Sequence, residues 1–290
     1  MHSFLKSIGF SNVQSRQEEE KLINLVIENV VEKQVIRLSD SRSIVELYLE
    51  VAEDTGLIVR GEIDAKGCLH TSHYFPVHRG QNISTEEAIF VNKRVDTDSY
   101  TGMCEDYRLG VSLIFYVQNV VELLKKPILK KDRNKYPVYL SAMASEGKVL
   151  LPVAKNKLEE EKVQKELKNR SELIAEAKQG NTEAIQSLTF EEIDQYAHVS
   201  RRIRKEDVFS IVETTFIPYG SESDNYSVLG YITKAEKYSN YYTKEEFYVL
   251  GIRCNEMDFE ICINADNLLG EPEVGRRFRG KVWMQGKIEV

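Results

Sequence analysis

Cysteine is scarce in this chain of 290 residues. Its four cysteines are Cys68, Cys104, Cys254 and Cys262, and no two of them form a C-x-x-C pair. A chain of this length can bury a core without disulfide bonds, so free thiols are expected. Free thiols are typical of a reducing compartment, and the sequence therefore predicts a cytoplasmic protein.

Long apolar runs are also missing. The longest, Val111–Val117, is interrupted by Ser112 and is far shorter than the roughly 20 residues that a membrane-spanning helix needs. The first ten residues contain no long apolar core, so they are not expected to act as a secretory signal. The sequence therefore predicts no association with a membrane.

The chain lacks an excess of positive charge. Its formal net charge is −7 at pH 7. Duplex binding depends on the neutralisation of phosphates by Lys and Arg. The composition therefore disfavours a dedicated nucleic-acid binder.

Motifs that would identify a reaction are absent too. The sequence has no glycine-rich phosphate loop, no nucleophile elbow and no zinc-protease helix. We therefore predict no cofactor and identify no catalytic residue. Because Asp and Glu can perform acid–base chemistry without a recognisable motif, an enzyme stays open as an alternative.

The patterning of residues 1–155 predicts an α+β domain. A helix is expected over Ser15–Lys33, where apolar residues recur every four positions. The alternation in Val45–Val51 begins an antiparallel meander with one face in water. Leu109–Val117 is largely apolar on both faces and predicts a central, buried strand.

A hairpin is predicted near the end of this domain. Its strands are expected at Tyr136–Ala144 and Lys148–Val153, with the turn at Glu146-Gly147. Helices followed by strands without regular alternation favour α+β over α/β.

Residues 156–205 predict a helical connector of three helices. The first, Lys157–Lys178, has a narrow apolar stripe on a highly charged surface, and Gly180 follows it as a C-cap. Thr189 and Glu192 form a capping-box pattern. We expect the connector to fix the two flanking domains to each other.

Residues 206–290 predict a small five-stranded, OB-like β-barrel. Its strands are expected at Asp207–Ile217, Ser227–Glu236, Phe247–Cys254, Phe259–Ile263 and Phe278–Val290. The last strand alternates cleanly, with one apolar face that includes glycines and one polar face.

Three stretches carry a resemblance to a known family. They are Gly102–Tyr107 running into Gly110–Tyr116, Ser187–Thr189 continuing through Ser200–Arg202 to Asp207–Ser210, and Gly275–Phe278 with Gly280–Gly286. The chain resembles, over nearly its whole length, a family of uncharacterised proteins of about 290 residues from anaerobic Gram-positive bacteria. That family is catalogued as a domain of unknown function. The resemblance implies a cytoplasmic bacterial protein and supplies no catalytic residues.

Four residues of metal-ligand type lie close together in the sequence: Cys68, His70, His73 and His78. Their spacing fits no standard zinc site, and His73 points away from Cys68 and His70 on a strand. They are weak candidates for a metal site, and a histidine-rich strand end at the surface is the favoured interpretation.

Trp283, the single tryptophan, falls on the polar face of the last strand beside Arg279, Lys281 and Gln285. An aromatic ring among cations can stack a nucleobase. Exposed tryptophans are seldom left uncovered, so we favour a docking site for the connector or for the first domain.

Tyr238, Tyr241 and Tyr242 flank a loop around Asn240. Tyrosine is enriched at protein interfaces, although ordinary strand tyrosines would show the same pattern. The leading hypothesis is a non-enzymatic interaction or scaffold protein with a protein partner. The alternatives are an enzyme with an interdomain pocket and a binder of single-stranded nucleic acid or another polyanion.

Overall fold

In this computed structural model, the described residues are 2–39, 42–64, 67–94, 99–126, 135–151, 212–221 and 223–290, with six single positions between 173 and 187. Contacts divide the chain into two compact units, Met1–Leu150 with Thr214–Val290, and Leu151–Glu213. The predicted connector, with its helices and caps, lies outside the described residues except at those single positions. The first unit is described below.

The N-terminal segment forms two short helices. A 3₁₀ helix spans Leu5–Ile8 and ends at Gly9, whose φ of 84° is one that glycine adopts readily. Helix α1 spans Arg16–Glu28, and Ser15 and Glu18 form a reciprocal capping box at its start. The helix is shorter than predicted, because it ends at Asn29 and the chain enters a strand at Glu32.

Four antiparallel strands follow in chain order and form one sheet. They are β1 (Glu32–Ser39), β2 (Arg42–Ala52), β3 (Thr55–Ile63) and β4 (Leu69–His78). The predicted meander is therefore confirmed. Its second face is not in water as predicted, since Glu46 and Tyr48 of β2 are buried. Arg60 pairs with Glu46 and the Arg79 guanidinium lies over the Tyr48 ring, which removes both side chains from solvent.

The other ten strands form a second sheet. They are β5 (Ile89–Lys93), β6 (Tyr100–Asp106), β7 (Val111–Val117), β8 (Val138–Leu150), β9 (Thr215–Pro218), β10 (Asn225–Ser239), β11 (Glu246–Cys254), β12 (Met257–Asn264), β13 (Leu268–Leu269) and β14 (Arg277–Ile288). Helix α2 (Val120–Lys125) follows β7, and a 3₁₀ turn (Ala265–Asn267) follows β12. The described part of the chain is thus mostly β, with few helices.

Five of these strands close into a barrel. β10, β11 and β12 form an antiparallel meander, β14 pairs antiparallel with β10, and β8 lies between β14 and β12. The predicted five-stranded barrel is present, but its closing strand comes from before the connector. Within the described residues, the strand expected at Asp207–Ile217 is represented by β9, which pairs with β10 outside the barrel.

Strand β8 replaces the hairpin that the sequence predicted. It is continuous from Val138 to Leu150 and pairs with β14 along its length. Gly147 is therefore not a turn residue. A Cβ atom there would lie 2.4 Å from the Phe278 ring, so glycine makes room for a core side chain. Where the sequence predicted a turn, the pairing of β8 with β14 has a register shift, which lies opposite Lys281 and Val282.

Two hydrophobic clusters fill this unit. One lies inside the barrel and continues to β7. The other lies between the four-stranded sheet and the outer face of the barrel, and it contains Leu5, Ile8 and Trp283. Strands from both sides of residues 156–205 thus share one sheet, whereas the sequence predicted one domain on each side. No helix among the described residues is long and apolar enough to cross a membrane.

Candidate functional site

A pocket of about 350 Å³ opens where the N-terminal segment meets both sheets. Its walls come from the chain start, β4, the end of β5, the start of β6, β7, the start of β10, and β14. It is lined by His2, Ser3, Phe4, His73, Tyr74, Phe75, Arg94, Ser99, Tyr116, Asp224, Asn225 and Trp283. Five of these side chains are Phe, Tyr or Trp, and several others are ionisable.

Trp283 forms the back of the pocket. It lies on the outer face of the barrel, where the alternation of β14 places it opposite to the core residues Val282 and Met284. Ring centroids of His2, Tyr116 and Phe4 lie 4.7, 5.0 and 5.7 Å from the Trp283 ring. These neighbours leave Trp283 only 7% exposed.

Asp224 joins two of the pocket side chains. The Trp283 indole N–H donates to the Asp224 carboxylate at 3.0 Å, and the Arg94 guanidinium pairs with the same carboxylate oxygen. Asp224 itself is fully buried. A buried carboxylate needs such donors, because desolvation without them is costly. The ion pair with Asp224 holds Arg94 at the pocket, and the hydrogen bond to Asp224 fixes the plane of the indole.

A polar network lies behind the pocket wall. His73 Nε2 lies 3.0 Å from the Tyr116 hydroxyl and 3.3 Å from Arg60 Nη1. Since Arg60 only donates, His73 Nε2 is the acceptor. Ser72 Oγ, which donates to the Arg60 carbonyl, then accepts from His73 Nδ1–H. The network therefore fixes the neutral tautomer of His73 with its proton on Nδ1.

Arg60 is anchored by a buried ion pair. Its side chain is 1% exposed, and its Nε donates to Glu46 Oε1 at 2.6 Å. Arg60 Nη1 also lies 3.5 Å from the Tyr116 hydroxyl. Burial raises the pKa of Tyr116 to about 12, so the phenol is protonated at neutral pH. The Tyr116 hydroxyl therefore donates to His73 Nε2 and accepts from Arg60 Nη1.

His2 closes the pocket from the side of the chain start. Burial lowers the pKa of His2 to about 4, so the imidazole is neutral at pH 7. The Phe4 backbone N–H donates to His2 Nδ1 at 3.4 Å. With Nδ1 as acceptor, the ring carries its proton on Nε2, which is a donor.

Asn225 is the pocket residue with unmet hydrogen-bonding capacity. Its Oδ1 is shielded from solvent and has no hydrogen-bond partner among the described residues. Strand pairing places Asn225 directly opposite Trp283. The amide and the indole are therefore neighbours on one face of the sheet.

A family model described as "Domain of unknown function, E. rectale Gene description (DUF3881)" matches residues 5–286. The chain belongs to this DUF3881 family. The resemblance to an uncharacterised family is thereby confirmed. Neither a curated protein nor a solved structure matches the chain.

The four metal candidates of this DUF3881 member do not converge. Cys68 is exposed, His70 Nε2 lies 3.1 Å from Asp64 Oδ2, and His73 belongs to the pocket wall. His78 is buried, although the sequence suggested a surface strand end. No cluster of three or more His, Cys, Asp or Glu side chains suited to a metal occurs among the described residues.

His78 instead belongs to a buried polar cluster between the two sheets. Its Nδ1 lies 2.8 Å from Thr55 Oγ1, and its Nε2 lies 3.2 Å from Glu260 Oε2. Burial disfavours the imidazolium, but Cys262 and Glu260 outweigh burial and raise the pKa of His78 to about 10. The protonated ring thus links β4 to β12.

The polar neighbours predicted for Trp283 do not form one surface with it. Gln285 is fully buried, and its amide donates to the Pro76 carbonyl at 2.8 Å. Lys281 pairs with Glu146 at 3.0 Å. Arg279 is half-buried.

The three candidate tyrosines occupy different environments. Tyr238 is half-buried, donates to Glu236 at 2.7 Å and stacks with Phe247. Tyr241 and Tyr242 are 55% and 39% exposed. Their loop is held by the buried Asn240, whose Oδ1 accepts from the backbone N–H of Tyr242.

Sequence reasoning identified Trp283 but missed most of its surroundings. Asp224, Asn225, Arg94, His2 and Tyr116 carry no local motif, and they come from four separate parts of the chain. The only available signal was indirect, because a tryptophan on a polar strand face requires a cover from elsewhere.

Proposed function

We propose that this protein binds a small aromatic molecule in the Trp283 pocket. The observation that carries the proposal is the concentration of ring faces around one cavity that also holds ionisable groups. Small-molecule sites have this character, with mostly apolar and aromatic walls and a few fixed polar groups. The volume of about 350 Å³ lies at the lower end of the usual range of roughly 300–1,000 Å³.

The polar groups of the pocket are fixed before any ligand arrives. Asp224 orients Trp283 and Arg94, while Arg60 orients His73 and Tyr116. Preorganised walls favour binding, because little side-chain entropy remains to be lost when a ligand enters.

The single tryptophan gives a direct test. Trp283 fluorescence, excited at a wavelength where the probes do not absorb, would be titrated with adenine, nicotinamide and benzoate, and calorimetry would check each titration. Saturable binding of at least one probe is expected. Phe4→Ala should weaken binding at least several-fold by removing one wall, whereas Tyr241→Ala, on the exposed loop, should leave it unchanged. Failure of all three probes in both measurements would contradict the proposal.

An enzyme acting at the same pocket is the alternative that the geometry favours next. Shifted pKa values gather at catalytic sites, and the pocket contains both His2 and Tyr116 with such shifts. Conversion of a bound probe, followed by chromatography, distinguishes an enzyme from a binding protein. A Tyr116→Phe variant that binds but does not convert the probe would favour the enzyme.

A protein partner is the third candidate, and the loop with Tyr241 and Tyr242 supports it. The loop presents two exposed aromatic side chains. Its Tyr241 backbone N–H donates to the Val51 carbonyl, and its Thr243 hydroxyl donates to the Gly9 carbonyl. Rigid aromatic side chains are frequent anchors at interfaces. A partner that co-purifies with the natural protein should be lost on replacing both tyrosines by serine and retained with Tyr219→Ser, a similarly exposed control.

Binding of single-stranded nucleic acid through Trp283, Arg279 and Lys281 has less support. Arg279 is half-buried, and Lys281 is paired with Glu146. This alternative would be supported if an oligonucleotide binds with an affinity that depends strongly on salt and if Lys281→Ala removes that dependence.

We further propose that the barrel is OB-like, with its closing strand supplied by β8. The three-strand meander, the 3₁₀ turn after it and the return of β14 to β10 support this assignment. We also propose a cytoplasmic location, which the four free cysteines support.

A further inference from the structure

The edge of the aromatic wall is formed by Asn225. In the β10–β14 pairing Asn225 lies directly opposite Trp283, and side chains opposite each other on antiparallel strands lie about 5 Å apart. A planar ring that lies along the wall formed by Trp283 therefore presents one edge to the Asn225 carboxamide.

The carboxamide has capacity for a new hydrogen bond. Asn225 Oδ1 has no partner among the described residues and is shielded from solvent. A buried acceptor without a donor is unfavourable. The terminal torsion of asparagine is soft, so the amide can turn toward a ligand edge at small cost.

The neighbouring carboxylate does not compete for the same ligand group. Asp224 accepts from both Trp283 and Arg94. The ion pair is neutral as a whole, and His2 is uncharged at pH 7. The pocket beside Asn225 therefore suits a neutral ring edge better than an ionised group.

We propose that the pocket selects a planar nitrogen heterocycle whose edge places an N–H donor beside a ring-nitrogen acceptor. A carboxamide offers one acceptor and two donors in one plane. It can pair with such an edge through two parallel hydrogen bonds, as asparagine does with the amino edge of adenine. This ligand class rests on the proposed function and makes it more specific.

Two isosteric purines test the edge directly. Adenine carries the amino donor beside a ring nitrogen, and 6-methylpurine has a methyl group in its place. Affinities would be measured by Trp283 fluorescence and calorimetry for the wild type, Asn225→Leu and Asn225→Asp. The wild type should bind adenine at least tenfold more tightly than 6-methylpurine. Asn225→Leu should remove that difference, and Asn225→Asp should retain part of it because an acceptor remains.

The outcomes separate this inference from the proposed function. Equal affinity of the two purines for the wild type would overturn the selection by Asn225 and leave the pocket as an aromatic site. Binding of nicotinamide or benzoate without either purine would overturn it too. If no probe binds, both proposals fail. Thermal unfolding of each variant checks that the fold is intact, and Asn225→Asp serves if Asn225→Leu does not fold.

Discussion

The indole N–H of Trp283 donates to the carboxylate of Asp224 across 3.0 Å, and both residues are buried. Asp224 stands directly before β10, while Trp283 lies within β14. The hydrogen bond therefore ties the entry of one barrel strand to a side chain on the outer face of its neighbour. It also sets the orientation of the ring that forms the back of the pocket.

Asp224→Asn should loosen this arrangement. The amide keeps the shape of the carboxylate but not its charge, so Arg94 loses its buried counter-charge. We expect the free energy of unfolding to fall by about 1–3 kcal/mol, measured by urea denaturation. Asp258→Asn is the matched control, because the Arg253–Asp258 pair is largely exposed and should contribute at most about 1 kcal/mol. Equal effects of the two substitutions would contradict this role of Asp224.

Glu46→Gln should destabilise the protein strongly. Arg60 would remain buried without its carboxylate, and breaking a buried ion pair from one side costs roughly 3–5 kcal/mol. The double variant Glu46→Leu/Arg60→Met removes both charges and should lose less stability than Glu46→Gln. Glu246→Gln, in an exposed pair with Lys237, controls for the loss of surface charge. If the double variant is less stable than Glu46→Gln, the hydrogen bonds of Arg60 stabilise the fold by more than the neutralisation of its charge.

The His78 cluster predicts a loss of stability at alkaline pH. Its folded pKa of about 10 lies above the ordinary value of 6.5, so the folded state holds a proton that the unfolded state releases. The stabilisation from the charged ring is full below pH 6.5 and is lost as pH rises toward 10; its size is on the order of 5 kcal/mol. His78→Gln should remove this part of the pH dependence. Parallel stability curves for the two proteins between pH 6.5 and 10 would be inconsistent with a charged His78.

His2 predicts the opposite dependence for the N-terminal segment. Its folded pKa of about 4 lies below 6.5, so the undocked segment binds a proton more readily than the docked one. Docking is strongest above pH 6.5 and should weaken as pH falls from 6.5 toward 4. A change in Trp283 fluorescence over that interval would report it. The His2→Asn variant should show little change in Trp283 fluorescence between pH 6.5 and 4. If the variant shows the same transition as the wild type, a group other than His2 causes it.

The sequence predicted those elements whose signal is local. In β2, β7 and β14 the alternation of side chains between the two faces can be recognised from neighbouring residues alone. The same holds for helix α1, whose apolar residues recur every four positions.

The remaining features depend on partners that are distant in the chain. Glu146-Gly147 predicts a turn, but in β8 the glycine makes room for the Phe278 ring, and nothing near Gly147 in the sequence indicates this. The cover of Trp283 comes from His2 and Phe4, near the start of the chain. Pairing across such separations is set by tertiary packing and leaves no periodic trace in either segment.

The most direct test of a ligand pocket at Trp283 is a titration with adenine. It would be monitored by ¹⁵N NMR through the indole N–H resonance of the single tryptophan. The account predicts one indole cross-peak that shifts saturably with adenine and shifts much less with 6-methylpurine at the same concentration. An indole resonance that does not move with adenine, nicotinamide or benzoate would contradict the claim that this pocket binds aromatic ligands.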